Sequence, residues 1–235
     1  MYLKGKKILI TGGSSGIGKA TAVDLIEAGA IVMITGRDKE KLDEAAEEIG
    51  AIPLAFDVSD YDVIPEKVAE AVAGLGGIDV LINNAGIGNF DLLEDITIHQ
   101  FENIFAVNVF GLALLTQEVV KYFKAQRHGD IINIASMAAT KGFSHGTVYA
   151  SSKFALRGMT LCWQAELRKH NIRVMLINPS EVPTAFNQED RVERDDEEGK
   201  LTSAEIAHAI KFSLEMDQRG FIPELSIWAT NPGVD

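Results

Sequence analysis

Tyr149 and Lys153 are the residues whose types and spacing most directly indicate chemistry. They stand four positions apart, which puts both side chains on one face if the segment is helical. A free phenol has a pKa of about 10, too high for a useful base near neutrality, and a nearby ammonium group would lower that pKa. The pair therefore predicts a general acid–base site, with an ordinary amphipathic helix as the alternative.

Two further polar residues are candidates for the same site. Ser136 directly follows a strand-like run, and the carboxyl ends of parallel strands open into the crevice where such sheets bind ligands. A hydroxyl group there can donate a hydrogen bond to a substrate carbonyl as charge develops on its oxygen. Asn108 lies on the apolar face of a helical pattern, where an unpartnered amide costs about 1–3 kcal/mol. Taken singly, a loop serine and a satisfied core asparagine are the alternatives.

A glycine-rich turn follows the first strand-like run, and a helical pattern begins at once after it. Glycine lets the backbone turn tightly and approach a pyrophosphate, whose charge is favourable at a helix N-terminus. The spacing is G-x-x-x-G-x-G rather than G-x-G-x-x-G, and an ordinary glycine-rich turn is the alternative. The candidate cofactor-binding residues of this turn are Gly12, Ser14, Ser15, Gly16, Ile17 and Gly18.

The end of the second strand-like run indicates which dinucleotide this turn would bind. An acidic residue there would bind the ribose 2′-hydroxyl of NAD(H), whereas an arginine accommodates the 2′-phosphate of NADP(H). Gly36 stands at that position and Arg37 follows it, so the sequence favours NADP(H) over NAD(H). Asp38 keeps NAD(H) open if the register differs by a residue or two, and a solvated Arg37 is the other alternative.

Short apolar runs alternate with longer helical patterns along the chain. Strands covered on both faces are apolar throughout, and strand–helix alternation is typical of right-handed βαβ units. The predicted fold class is therefore α/β, a doubly wound, Rossmann-like parallel sheet with helices on both faces. We expect one domain over residues 1–235, with a charged substrate lid inserted around residues 185–202. The predicted strands are Lys7–Thr11, Ile31–Thr35, Ile52–Phe56, Val80–Asn83, Ile131–Ala135, Arg173–Asn178 and Leu225–Ala229.

Composition narrows the classes of function. The 235 residues carry a net charge of −12, which argues against general binding of nucleic acid or of anionic membranes. Cys162 is the only cysteine, and the histidines show no metal-ligand spacing, so no metal site is predicted. The first apolar run is too short for a signal peptide or a membrane span, and we expect a cytoplasmic protein.

Together these motifs resemble the short-chain dehydrogenase/reductase family, in its compact single-domain branch. The T-G-x-x-x-G-x-G turn of that family matches the segment that begins at Thr11, and its four-residue catalytic set matches Asn108, Ser136, Tyr149 and Lys153. Three further family segments match around Asp57-Val58, Asn83-Asn84-Ala85-Gly86 and Pro179 to Thr184. The cofactor-binding residues that this resemblance adds are Asp57, Val58, Asn84, Ala85, Gly86, Tyr149, Lys153, Pro179, Val182 and Thr184.

The resemblance implies a role for each member of the set. Tyr149 would donate a proton in carbonyl reduction or remove one in alcohol oxidation, and Lys153 would lower its pKa and bind the nicotinamide ribose. Ser136 would polarise the substrate oxygen, and Asn108 would hold a water molecule that links Lys153 to solvent. The expected assembly is a homodimer or homotetramer acting on a small carbonyl or alcohol. The candidate substrate-binding residues are Ser136, Tyr149, His145 and Phe186.

The chain departs from the family pattern at three places. Ser180 replaces the glycine after Pro179, and Ser15 stands where some NADP-binding relatives carry a basic residue. The C-terminal segment around Trp228 also differs from the common family ending, so the far wall of the substrate pocket is expected to differ. Two other functions stay open: a nucleotide-binding, redox-sensing regulator on the same fold, and an isomerase or lyase that uses the cofactor transiently.

Overall fold

In the part of the chain that the computed structural model describes, seven parallel strands form one sheet in the order β3-β2-β1-β4-β5-β6-β7. The strands are β1 (Lys7–Thr11), β2 (Ile31–Gly36), β3 (Ile52–Ala55), β4 (Val80–Asn83), β5 (Gly129–Ile134), β6 (Ile172–Pro179) and β7 (Glu224–Ile227). The structure describes residues 3–186 and 194–231. The predicted α/β fold with a doubly wound parallel sheet is confirmed, with strand ends that differ by one or two residues from the prediction.

Helices cover both faces of this sheet. They are α1 (Gly16–Glu27), α2 (Lys39–Ile49), α3 (Ile64–Leu75), α4 (Ile98–Phe105), α5 (Leu112–Gln126), α6 (Thr147–Leu167) and α7 (Ser203–Glu215). Successive side chains of β1 point to opposite faces, so Ile8 packs with α1 and α7, whereas Leu9 packs with α3 and α5. Both faces are buried, which is why the strands show apolar runs without polar alternation.

Local capping residues explain where several helices begin and end. Asp38 accepts a hydrogen bond from the Lys41 N–H at the start of α2, and Gly50 ends that helix in the left-handed region. Thr97 and Thr202 are the N-cap residues of α4 and α7, and each forms a reciprocal capping box. Such caps satisfy the backbone N–H groups that have no partner within the helix.

The helix that carries Asn108 is interrupted, which the sequence pattern did not predict. A π-helical segment, Ala106–Gly111, joins α4 to α5. A Cβ atom on Gly111 would lie 2.0 Å from the Val58 carbonyl oxygen, so the backbone of this segment packs directly on the loop after β3. The combined run Ile98–Gln126 is long and apolar enough to cross a membrane by length and composition alone. In the fold, Leu115 and Phe123 of this run are fully buried against the sheet.

A buried ion pair links β5 and β6 near their amino ends, at the edge of the sheet opposite the predicted site. Asp130 of β5 and Arg173 of β6 face each other, with nitrogen–oxygen distances of 2.6 and 2.7 Å. Arg173 also donates hydrogen bonds to the carbonyl groups of Leu214 and Met216, which connects β6 to the end of α7. Two paired ions that are removed from water need such additional hydrogen bonds to offset their lost hydration. Arg173 has them in the carbonyl groups at the end of α7.

The predicted lid around residues 185–202 is only partly covered, because residues 187–193 lie outside the described residues. Leu201 at the far end of that segment is buried in the core beside α7. Lys200, next to it, pairs with Glu181 and Glu197 at 2.6 and 2.8 Å. The second half of the segment is therefore attached to the body of the fold, and its action as a lid stays a prediction.

Candidate active site

A cleft of about 1140 Å³ runs along the carboxyl ends of the strands. This is the edge at which open parallel sheets bind ligands, where the strand order reverses between β1 and β4. The structure brings most of the predicted site residues to this cleft: Gly12, Ser14, Ser15, Gly16, Ile17, Arg37, Asp57, Val58, Asn84, Ala85, Gly86, Ser136, Tyr149, Lys153, Pro179, Val182, Thr184 and Phe186. Gly18 and Asn108 lie behind its wall, and His145 is exposed outside the lining.

The glycine turn requires the absence of side chains at two positions. Gly12 has a φ of 66°, and a Cβ atom on it would lie 2.9 Å from the Ala85 Cα. A Cβ atom on Gly18 would lie 2.2 Å from the Gly12 carbonyl oxygen. Helix α1 begins at Gly16, so its first N–H groups and the positive end of its dipole face the cleft. This donor set fits the pyrophosphate of a dinucleotide.

Asn84 and Thr11 hold this turn against the loop after β4. The Asn84 amide donates hydrogen bonds to the carbonyl oxygens of Thr11 and Gly12 at 3.0 and 2.9 Å. The Thr11 hydroxyl accepts from the N–H groups of Asn84 and Ala85, both at 3.0 Å. The sequence matches Thr11 to the first position of the family's glycine turn without giving it a role, and the structure shows that its hydroxyl joins this turn to the loop after β4.

Tyr149 is buried between two aromatic rings at the other end of the cleft. Its ring lies 5.4 Å from that of Phe90 and 5.7 Å from that of Phe186, measured between centroids. Burial raises the pKa of Tyr149 to about 12, and a hydrogen bond with the Ser136 side chain acts in the opposite direction. The phenol is therefore protonated at neutral pH.

Lys153 lies one turn further along α6, fully inside the protein. Its ammonium nitrogen is 3.1 Å from the Ile134 carbonyl oxygen and 5.7 Å from the centroid of the Tyr149 ring. Burial lowers the pKa of Lys153 to about 8. The sequence predicts that this ammonium lowers the Tyr149 pKa, but with the groups of the protein alone the loss of solvation is the larger effect and has the opposite sign.

Asn108 occupies the π-helical segment with its amide fully engaged. Its oxygen accepts from the Ile87 N–H at 2.9 Å, and its nitrogen donates to the Ile87 carbonyl at 2.9 Å and to the Ser152 hydroxyl at 3.1 Å. A Cβ atom on Gly86 would lie 3.4 Å from the Asn108 oxygen and 3.7 Å from the Lys153 nitrogen. Asn108 and Lys153 thus approach the same point, and the water-holding role stays a prediction.

The residues after β2 define the end of the cleft where an adenine ribose would lie. Arg37 is exposed and lines the cleft, whereas the Asp38 carboxylate accepts the Lys41 N–H at 3.2 Å as the cap of α2. Lys41 also lines the cleft, and sequence reasoning missed it. A basic residue one helical turn after Arg37 was the available signal. Asp57 accepts from the Ser59 N–H and hydroxyl at 2.8 and 2.6 Å, which orients its side chain at this rim.

The segment after β6 is connected to the C-terminal strand through Ser180, the residue that departs from the family pattern. The Ser180 hydroxyl accepts from the Ala229 N–H at 3.3 Å, and the Ser180 N–H donates to the Ile227 carbonyl at 2.8 Å. Further along this segment, Thr184 lies over the start of α1. A Cβ atom on Gly16 would be only 3.1 Å from the Thr184 Cβ. The segment thereby covers the glycine turn.

Comparison with known proteins places the chain in a family. The short chain dehydrogenase family model matches residues 6–195. The chain belongs to the short-chain dehydrogenase/reductase family. It is an oxidoreductase with a fold that binds a nicotinamide dinucleotide, and its family acts on CH–OH or carbonyl groups of small molecules.

Three similar proteins cover most of the chain. A 3-oxoacyl-(acyl-carrier-protein) reductase of Thermotoga maritima is 39% identical over 80% of this chain and 78% of its own length. An NADP-dependent 3-hydroxy acid dehydrogenase of Schizosaccharomyces pombe is 33% identical over 98% and 95%. The structure of a 3-ketoacyl-(acyl-carrier-protein) reductase from Brucella melitensis, complexed with NADH, superposes with a TM-score of 0.87 at 28% identity and covers 98% of both chains.

We expect Gly18→Ala to weaken dinucleotide binding by about tenfold or more, the loss of roughly one charge-assisted hydrogen bond. The added Cβ atom would push against the Gly12 carbonyl oxygen at 2.2 Å and the Asn84 amide at 2.5 Å. Calorimetric titration with the dinucleotide measures this loss. Gly158→Ala is the matched control, since Gly158 of α6 has no atom within 4 Å of its would-be Cβ. Unchanged binding in Gly18→Ala would show that the turn tolerates a side chain.

Proposed function

We propose that this protein is an NADP(H)-dependent carbonyl reductase or alcohol dehydrogenase in which Tyr149 is the general acid–base. The proposal is carried by one observation. The Tyr149 side chain faces the same cleft as the glycine turn. Its hydroxyl is hydrogen-bonded to Ser136, and its ring lies close to the Lys153 ammonium. A cofactor held at the turn and a substrate placed at Tyr149 would therefore meet inside this cleft.

In the reducing direction, Tyr149 gives its proton to the substrate oxygen. Its raised pKa keeps the phenol protonated at neutral pH, which suits a proton donor. The nicotinamide supplies the hydride to the carbonyl carbon when it is bound. Ser136 donates a hydrogen bond to the same substrate oxygen, so the negative charge that develops there meets two hydroxyl groups.

Lys153 would stabilise the phenolate that Tyr149 becomes after it has given up its proton. The ammonium is oriented by the Ile134 carbonyl, and burial strengthens its interaction with the developing negative charge. Asn108 holds the Ile87 backbone on one side and approaches Lys153 near Gly86 on the other. A water molecule between them would return a proton from solvent to the site.

NADP(H) is the favoured cofactor because of the charges after β2. Arg37 lines the cleft, and Lys41 adds a second cation at the same end. The Asp38 carboxylate, which would be the residue to bind an NAD(H) ribose, accepts a backbone N–H in the cap of α2. The relative from Schizosaccharomyces pombe is named as NADP-dependent, whereas the Brucella melitensis reductase structure holds NADH.

The regulatory alternative is not favoured. A protein that only senses the redox state of a dinucleotide would not need a substrate-facing proton donor. Tyr149, Ser136 and Lys153 nevertheless occupy one cleft here. An isomerase or lyase would need a substrate region beyond the sheet and its helices, and no observation in the described residues favours one.

Location and assembly are also proposals. We propose a cytoplasmic homodimer or homotetramer that joins through the exposed apolar side chains of the helices around Asn108 and Tyr149. On these helices Phe110 is 50% exposed, Leu161 is 52% exposed and Phe154 is 44% exposed, so each offers apolar surface to a partner. Trp163, in contrast, packs against the core. Light scattering measures the assembly state.

Tyr149→Phe should keep dinucleotide binding and lower turnover by about 10²–10⁴-fold, the usual contribution of a positioned proton donor. The assay follows NADPH absorbance with a panel of ketones and aldehydes, after titration of NADPH and NADH. Tyr122→Phe is the matched control, because Tyr122 packs against the core outside the cleft. Substantial activity in Tyr149→Phe would rule out the assigned role.

Arg37→Ala should weaken NADPH binding by about tenfold to a hundredfold and leave NADH binding nearly unchanged, since only NADPH carries the 2′-phosphate. Arg168→Ala removes an exposed guanidinium outside the cleft and serves as the control. Parallel titrations with both dinucleotides give the ratio. An equal loss for both dinucleotides would show that Arg37 does not read the 2′-phosphate.

The pH profile tests the ionisation of Lys153. Its pKa of about 8 means that the ammonium is present below that pH and lost above it, while Tyr149 stays protonated up to about 12. We therefore expect kcat/KM for the cofactor, which reports the free enzyme, to be level below about pH 8 and to fall by about tenfold per unit above it. Lys153→Met should show a low and flat profile. A wild-type profile that stays level to pH 10 would contradict the assignment.

A further inference from the structure

Among the described residues, the substrate end of the cleft has apolar walls with the cation of Lys141 at its rim. Phe143 lies 6.0 Å from Phe90, and both rings line the cleft with Phe186 and Met137. Gly88 makes room for this cluster, since a Cβ atom there would lie 2.8 Å from the Phe186 ring. The walls suit an apolar or aromatic substrate body, and the cation there is Lys141.

Lys141 reaches the cleft from the turn that also presents Ser136. Its N–H donates to the Met137 carbonyl at 3.2 Å, so the backbone at Lys141 is tied to the residue next to Ser136. Its ammonium nitrogen lies 4.9 Å from the centroid of the Trp228 ring, a cation–π contact. Trp228 follows β7 directly, so the contact joins two loops at the rim of the cleft.

The charge of Lys141 has no carboxylate partner among residues 3–186 and 194–231. Some other charged residues that line the cleft are in ion pairs: Lys19 pairs with Glu48 at 2.7 Å, and Glu181 pairs with Lys200 at 2.6 Å. Arg194 pairs with Glu197. An ammonium that has no carboxylate partner within the described ranges is notable in a chain with 34 acidic and 22 basic residues.

We propose that Lys141 is a specificity-determining residue that selects carbonyl substrates bearing an anionic group, a carboxylate or a phosphate, on an apolar or aromatic body. This inference rests on the proposed function. An anion would pair with the ammonium at the rim while the apolar body packs among the phenylalanine rings and the carbonyl reaches Tyr149. The ammonium is exposed, so it also attracts anions from solvent before they enter the cleft.

Trp228 positions this ammonium. The ring is 55% exposed, and its contact with Lys141 keeps the flexible four-carbon side chain over the rim rather than free in solvent. An ammonium that is already restrained loses less conformational freedom when it binds an anion. Replacing the ring should therefore weaken the preference for anionic substrates without abolishing it.

The test compares three benzaldehydes that differ in the group opposite the aldehyde: 4-carboxybenzaldehyde, its uncharged methyl ester, and 4-formylphenyl phosphate. In Lys141→Gln we expect KM for the carboxylate to rise about tenfold, with kcat within about twofold and the ester unaffected. Trp228→Leu should raise the same KM by about threefold. Lys169→Gln is the matched control, because Lys169 is an exposed lysine outside the cleft.

The phosphate arm separates the two anion sources. A larger rise in KM for the phosphate than for the carboxylate in Lys141→Gln assigns the rim to phosphate-bearing substrates, and the reverse assigns it to carboxylates. Turnover of acid and ester with an unchanged ratio in Lys141→Gln overturns the inference and leaves the reductase proposal intact. Activity retained in Tyr149→Phe overturns the proposed function instead, and the acid-to-ester ratio of Lys141→Gln then still shows whether the rim reads charge.

Discussion

The cleft depends on how closely the turn after β1 approaches the loop after β4. Four hydrogen bonds of 2.9 to 3.0 Å cross this contact: the Asn84 side-chain amide donates two to backbone carbonyls of the turn, and the Thr11 hydroxyl accepts two from backbone N–H groups of the loop. Gly12 and Gly18 leave no room for a side chain there. The contact lies directly after the paired strands β1 and β4, where the strand order reverses and open parallel sheets bind ligands. Asn84, expected to bind the cofactor, braces the turn that faces it.

Burial sets the pKa values of the two titratable groups at the other end of the cleft, Tyr149 and Lys153. Tyr149 and Lys153 share one face of α6, and the loss of solvation moves both pKa values toward the neutral forms, to about 12 and about 8. Phe90 and Phe186 pack against the Tyr149 ring, and the buried Lys153 ammonium donates a hydrogen bond to the Ile134 carbonyl. The phenol stays protonated at neutral pH and can therefore act as a proton donor, whereas the neighbouring lysine loses its charge above about pH 8.

The two ends of the cleft differ in the chemistry that they offer. The end after β2 presents Arg37 and the start of α1 to phosphate groups, whereas the end around Tyr149 is walled by aromatic rings. Lys141 is the cation at the aromatic end, held by Trp228 from a loop far away in the chain. The hydrogen bonds of Ser180 connect the segment that covers the glycine turn to the residues beside Trp228, so these two parts of the cleft wall are in contact.

The sequence alone determined the alternation of strands and helices, the parallel sheet, and the placement of Ser136 at the carboxyl end of a strand. Those features follow from local periodicity and from residue types at strand ends, which each segment carries by itself. Only the tertiary structure decided the π-helical segment around Asn108, the hydrogen bonds from Asn84 to the glycine turn, and the Lys141–Trp228 contact. Each of these depends on which distant backbone or side chain packs nearby, and no spacing within one segment encodes that.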